Sequence, residues 1–122
     1  MLEQAVADFL RDVVRSVWAL ELMLLMLRDP EKPWTAPEIT AEMRASLPLV
    51  SGILDQYLRA GLVARAGPDT WRWAPRNDRL ATLVAKVAQA QATTPFAVIK
   101  AISAEPKGPL RAFADAFRFK GD

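Results

Sequence analysis

Few residues in this chain of 122 could carry catalytic chemistry. It has no cysteine and no histidine, which excludes a thiolate nucleophile, a disulfide framework, thiolate or imidazole metal ligation and a Ser-His-Asp relay. Glu38 and Glu42 sit one helical turn apart and could face a shared cation, but solvated carboxylates at that spacing are common and no further ligand set converges on them. No Gly-rich phosphate loop or metal-spacing motif is present. The inventory points away from an enzyme and implies neither metal nor cofactor. What remains is cationic: Arg65, Arg72 and Arg76 lie within twelve residues, with Arg79 close behind and Arg44 ahead of them. Each guanidinium can neutralise a phosphate. The competing role is surface pairing with Asp69 or Asp78, worth ~0–1 kcal/mol per pair.

Charge is distributed in the same sense. The whole chain is only +2, but residues 1–58 hold five Arg and Lys against nine Asp and Glu, a net −4. Residues 59–122 hold eleven against five, a net +6, an asymmetry compatible with a nucleic-acid footprint. A composition of 52% hydrophobic and 25% charged residues fits a single folded domain with a real core. The longest apolar stretch, 13–27, is interrupted by Arg15 and Glu21 and falls short of the ~20 residues a membrane span needs. Glu3 and Asp8 stand where a secretory signal would be basic and then apolar, so the chain reads as cytoplasmic and without membrane contact.

The elements that must position these arginines centre on residues 38–63. Ile39 and Met43 lie one turn apart, then Val50, Leu54, Tyr57 and Leu58 recur at helical spacing, which is a helix-turn-helix pattern. Thr35 and Glu38 form a capping box for a helix over 36–44, and Ser46 caps a second over about 47–60, with Pro48 in its first turn. Residues 62–66 and 70–74 read as short strands joined by Gly67-Pro68-Asp69, with Trp34 as a further short strand. Alternation puts Trp71 and Trp73 on one face, under the sheet, and Arg72 on the other.

Upstream, Leu2, Val6, Phe9, Val13, Val17, Leu20 and Leu24 keep steps of three and four without Gly or Pro. Residues 2–28 are therefore expected as one long helix, ~40 Å if continuous, or two nearly collinear ones. Its amino-terminal half must bury an apolar stripe against a dimer partner or the chain's own carboxy-terminal helices, the dimer being preferred. Downstream, Asn77 or Asp78 caps a helix to about 92, and Thr94-Pro95 opens another through 102 with Phe96, Ile99 and Ile102 aligned. A last short helix is expected over 110–119, its phenylalanines docked on another surface. Met23, Met26, Trp18 and Phe96 could line an effector pocket, although core packing is their commoner role, and no particular effector is implied.

Glu38-Ile39, Val50 with Leu54, and Ala60-Gly61-Leu62-Val63 match without a gap the positions that open the positioning helix, anchor the recognition helix and lead into the wing of a winged helix. The chain resembles MarR-like and PadR-like transcriptional regulators over about residues 17–75. The resemblance implies a mainly α winged helix-turn-helix with a small β-wing and added terminal helices: an extension over 1–16, the winged-helix domain over 17–76, and helices over 77–122 that pack on it or form a dimer interface. It also implies binding of double-stranded DNA by a homodimer on a pseudo-palindromic site, with residues 47–60 in the major groove and the basic wing, 62–76, on the backbone. Gln56 would then read a base, while Ser46, Ser51, Arg44, Arg65, Arg72 and Arg76 would meet phosphates. Leu47, Pro48 and Gly52 occupy positions where relatives often carry polar readers, and Leu47, Pro48 and Leu49 support the alternative of a winged-helix module that binds protein.

Overall fold

The computed structural model describes residues 2–103 and is mainly helical, with six α-helices and one small antiparallel sheet among those residues. In chain order the elements are α1 (Gln4–Phe9), a π-helical turn (Leu10–Val14), α2 (Val17–Leu27), β1 (Trp34–Thr35), α3 (Ala36–Met43), α4 (Leu47–Ala60), β2 (Val63–Gly67), β3 (Thr70–Trp73), α5 (Asp78–Thr93) and α6 (Pro95–Ser103). The sheet runs β1-β3-β2, with Trp34 opposite Trp71, Ala64 opposite Arg72 and Val63 opposite Trp73. No helix among the described residues is long and apolar enough to cross a membrane.

Local capping sets the central elements. The Glu38 N–H donates to Thr35 Oγ1 at 3.2 Å while the Thr35 N–H donates to Glu38 Oε1 at 2.8 Å, so both ends of the expected box close. A cap of this kind contributes about 1 kcal/mol. Accepting the Thr35 backbone N–H, then its hydroxyl, holds the Glu38 carboxyl below its ordinary value. The cap is therefore at full strength above the usual glutamate range and weakens as pH falls through the lowered value. Ser46 caps α4 through the Leu49 N–H, and Gly61 ends that helix at φ 81°, a left-handed conformation glycine takes without a Cβ penalty.

Of the two arrangements expected for the amino-terminal segment, the single continuous helix is not formed. The first α-helix stops at Phe9, a π turn follows in which the Arg15 N–H donates to the Leu10 carbonyl at 2.8 Å, and Arg15 turns left-handed at φ 74°. Ser16 then caps α2 by accepting from the Ala19 N–H at 3.0 Å. The apolar stripe divides with the helix. Val6, Phe9, Leu10 and Val14 are buried with α1 and the π turn packed on α5 and α6, whereas Leu20, Leu22, Met23 and Met26 of α2 are buried in a core that also takes in α3, α4 and β3. The chain's own α5 and α6, not a dimer partner, cover the amino-terminal stripe. Val17 and Trp18, which follow the break, are exposed.

Tyr57 ties α4 to α2 and to the sheet. Its hydroxyl donates to the Ala19 carbonyl at 2.6 Å, and its ring meets Trp73 edge-on at 6.1 Å between centroids. Trp73 is buried and Trp71 partly so, in line with their placement under the sheet. Met23 and Met26 are core residues. On α6, Val98 and Ile102 face inward, so Phe96 and Ile99 are not aligned with Ile102 but lie outside, Phe96 at 85% exposure. The helix expected over 110–119 lies outside the described residues.

Candidate nucleic-acid interface

The outer side of α4 is open. Leu47, Pro48, Ser51, Gly52, Asp55 and Arg59 are exposed, while Val50, Ile53, Leu54 and Tyr57 form the buried face. Leu49 is half-buried and packs against the core, so of the apolar trio Leu47, at 47% exposure, and Pro48 remain in solvent. Arg59 pairs loosely with Asp55 at 3.8 Å, both side chains largely exposed. The helix of 14 residues is about 20 Å long, so its two ends are different places chemically.

Gln56 does not join that open side. Its amide nitrogen donates to the Val13 carbonyl and, at 3.1 Å, to the Val14 carbonyl. These are carbonyls at the end of the π turn, where the break at Arg15 leaves acceptors without a continuing helix. Gln56 is thus a tertiary cap on the amino-terminal segment. Gln56→Ala is expected to lower stability by about 1–3 kcal/mol in urea denaturation, the range for uncovering partly buried acceptors, and, if the chain binds DNA, to leave that affinity unchanged. A fall in affinity without a fall in stability would return Gln56 to the interface.

The arginines separate into groups. Arg44, left-handed at φ 55°, lies in the turn between α3 and α4, two residues before the Ser46 cap, and borders a groove with Lys32, Trp34, Glu38 and Glu42. Arg72 is exposed on the sheet face opposite Trp71 and Trp73. Among the described residues neither has an ion-pair partner. Arg65 pairs across the strands with Trp71, so it shares the tryptophan side, with its guanidinium 5.0 Å from that ring and Nη1 donating to the Pro68 carbonyl at 2.8 Å. Arg76 sits at the far end of α4. Its N–H donates to the Gly61 carbonyl at 2.7 Å, a Cβ on Gly61 would come within 2.8 Å of its Nε, and it borders a groove with Asp8, Asp12 and Arg79.

No family model matches the chain, and neither a curated protein nor a solved structure is found to be similar to it. Geometry alone places a further cation, Lys32, which sequence reading passed over. Its Nζ stands 3.8 Å from the centroid of the Trp34 ring, and it shares the Arg44 groove. The signal was a lysine two residues before a tryptophan, across a proline that keeps the segment extended. Glu38, one of the two carboxylates weighed for a cation, is occupied by the Thr35 cap.

Proposed function

We propose that the chain is a winged-helix DNA-binding domain of the MarR-like or PadR-like kind, acting in transcription regulation, and that its affinity comes mostly from phosphates. The observation that carries this reading is the open amino-terminal half of α4, with Arg44 and Arg72 exposed and unpaired among the described residues. The order helix, turn, helix, two-stranded hairpin, with a short third strand on β3, is the arrangement such a domain needs. Ser46 and Ser51 offer hydroxyls to phosphate, and Lys32 adds a third cation. With Gln56 engaged elsewhere, the exposed residues of α4 hold few groups that distinguish bases, so discrimination between sequences should be shallow. The test is affinity for a selected and a random duplex from about 50 to 200 mM salt. A steep salt slope shared by both duplexes supports the proposal. A flat slope removes it.

A homodimer is part of the proposal because two α4 helices on a pseudo-palindromic site require one. With α1 covered within its own chain, Phe96 and Ile99 are the apolar residues of α6 left for that contact. Phe96→Glu is expected to halve the mass seen by light scattering. A wild-type chain that is already monomeric takes the dimer out of the proposal.

The second reading, a winged-helix module that binds protein, has one specific support in the exposure of Leu47 beside Pro48. Under it, Leu47→Ser removes binding of the partner while the arginine changes do little.

A further inference from the structure

A groove of about 560 Å³ lies between α2, α3 and α5, away from the open side of α4, within the ~300–1,000 Å³ range of small-molecule sites. Its floor and walls are apolar: Leu24, Leu25 and Leu27 from α2, Met43 from α3 and Ala88 from α5. Two carboxylates border it, Glu21 from α2 and Glu42 from α3, both exposed. Neither has an ion-pair or hydrogen-bond partner among the described residues. Glu42 also borders the Lys32 and Arg44 groove, with no ion pair to either. The one cation lining the apolar groove, Arg28, stands seven residues along α2 from Glu21, about 10 Å by helical rise.

We propose that this groove binds small organic monocations with an apolar body, the ammonium meeting Glu21 and Glu42 and the hydrocarbon lying along Leu24, Leu27 and Met43. Charge decides the class. A carboxylate ligand would meet two like charges at that end, and a neutral one would cover the leucines while gaining nothing from the two carboxylates, which stay in water. An ammonium has three donors for the two carboxylates, and the aryl end of a chain laid along Leu24 and Leu27 arrives beside Arg28, where a ring face suits a guanidinium and a second ammonium does not. The inference does not rest on DNA binding, since none of the groove residues except Glu42 touches the groove beside Arg44.

The test uses the full chain and three probes with one body: 4-phenylbutylamine, 4-phenylbutanol and 4-phenylbutyrate, titrated by amide NMR. The amine is expected to bind tightest and the carboxylate weakest, with shifts centred on Leu24, Met43 and Ala88. In the double variant Glu21→Gln with Glu42→Gln, which changes exposed residues only, amine affinity should fall roughly fivefold toward that of the alcohol. Equal affinity for the three probes, shifts centred elsewhere, or an unchanged amine affinity in the double variant would each overturn the proposal.

Discussion

Tyr57→Ala is expected to destabilise the domain by about 3–5 kcal/mol, the upper range for truncating a buried aromatic side chain. Domains of this size have ~5–15 kcal/mol in total, so a large share of the variant should be unfolded at 37 °C. Three losses coincide at that site: a fully buried ring, its edge-on contact with Trp73, and the hydroxyl that satisfies the Ala19 carbonyl at 2.6 Å. Tyr57→Phe separates them, because it keeps the ring and should cost only about 1 kcal/mol. Burial pushes the phenol's pKa up, since the charged phenolate would be held in an apolar interior. A raised folded value means that this contribution is complete below the ordinary phenol range, near 10, and declines as pH rises above it. Urea midpoints for wild type and Tyr57→Phe between pH 8 and pH 11 should therefore converge at the alkaline end. Midpoints that stay parallel would show that the hydroxyl contributes nothing that ionisation can remove.

The second large effect concerns affinity. If Arg44 and Arg72 each neutralise one phosphate, changing both to alanine should reduce the slope of log K against log salt by roughly 1.8, at about 0.9 per phosphate on duplex DNA. The loss should be equal for selected and random sequences, because phosphate contacts carry no base information. Arg76→Ala serves as the control. It sits against Gly61, about 20 Å along α4 from the Ser46 cap, and its removal should leave the slope in place. Should Arg76→Ala flatten the slope while the double variant does not, the DNA would have to lie against the other end of α4, next to Asp8 and Asp12.

Much of the central fold was legible because its signals are local. A threonine and a glutamate three apart, a serine before Leu47, and a glycine after Ala60 satisfy backbone groups within one turn. Both helices of the motif accordingly match their expected limits to within a residue, and the hairpin falls around Gly67-Pro68-Asp69 as its turn residues require. The break after Val14 was legible only as an alternative, two nearly collinear helices divided at the 16/17 boundary that the winged-helix resemblance implies. Val13 and Val17 keep helical spacing across it, so periodicity alone reads straight through. The serine at 16 was the one local hint.

The candidate site shows the same division. Trp73, Leu54 and Val50 belong to the core on pattern alone, because a strand buries every second residue and a helix one stripe. Gln56 reads from sequence as an exposed polar residue of a recognition helix, and nothing nearby in the chain contradicts that. Its partners are 42 and 43 residues away.

The order of residues by itself determined the caps, the turn chemistry and the apolar stripes, hence the helices, the hairpin and the absence of histidine and cysteine chemistry. Tertiary structure alone decided where the first helix stops, that its stripe closes on α5 and α6 of the same chain, and that one glutamine is withdrawn from the open face to cover two carbonyls. The physical reason is range: a cap or a turn is an agreement between neighbours, whereas an orphan acceptor is satisfied by whichever donor the folded chain brings to it.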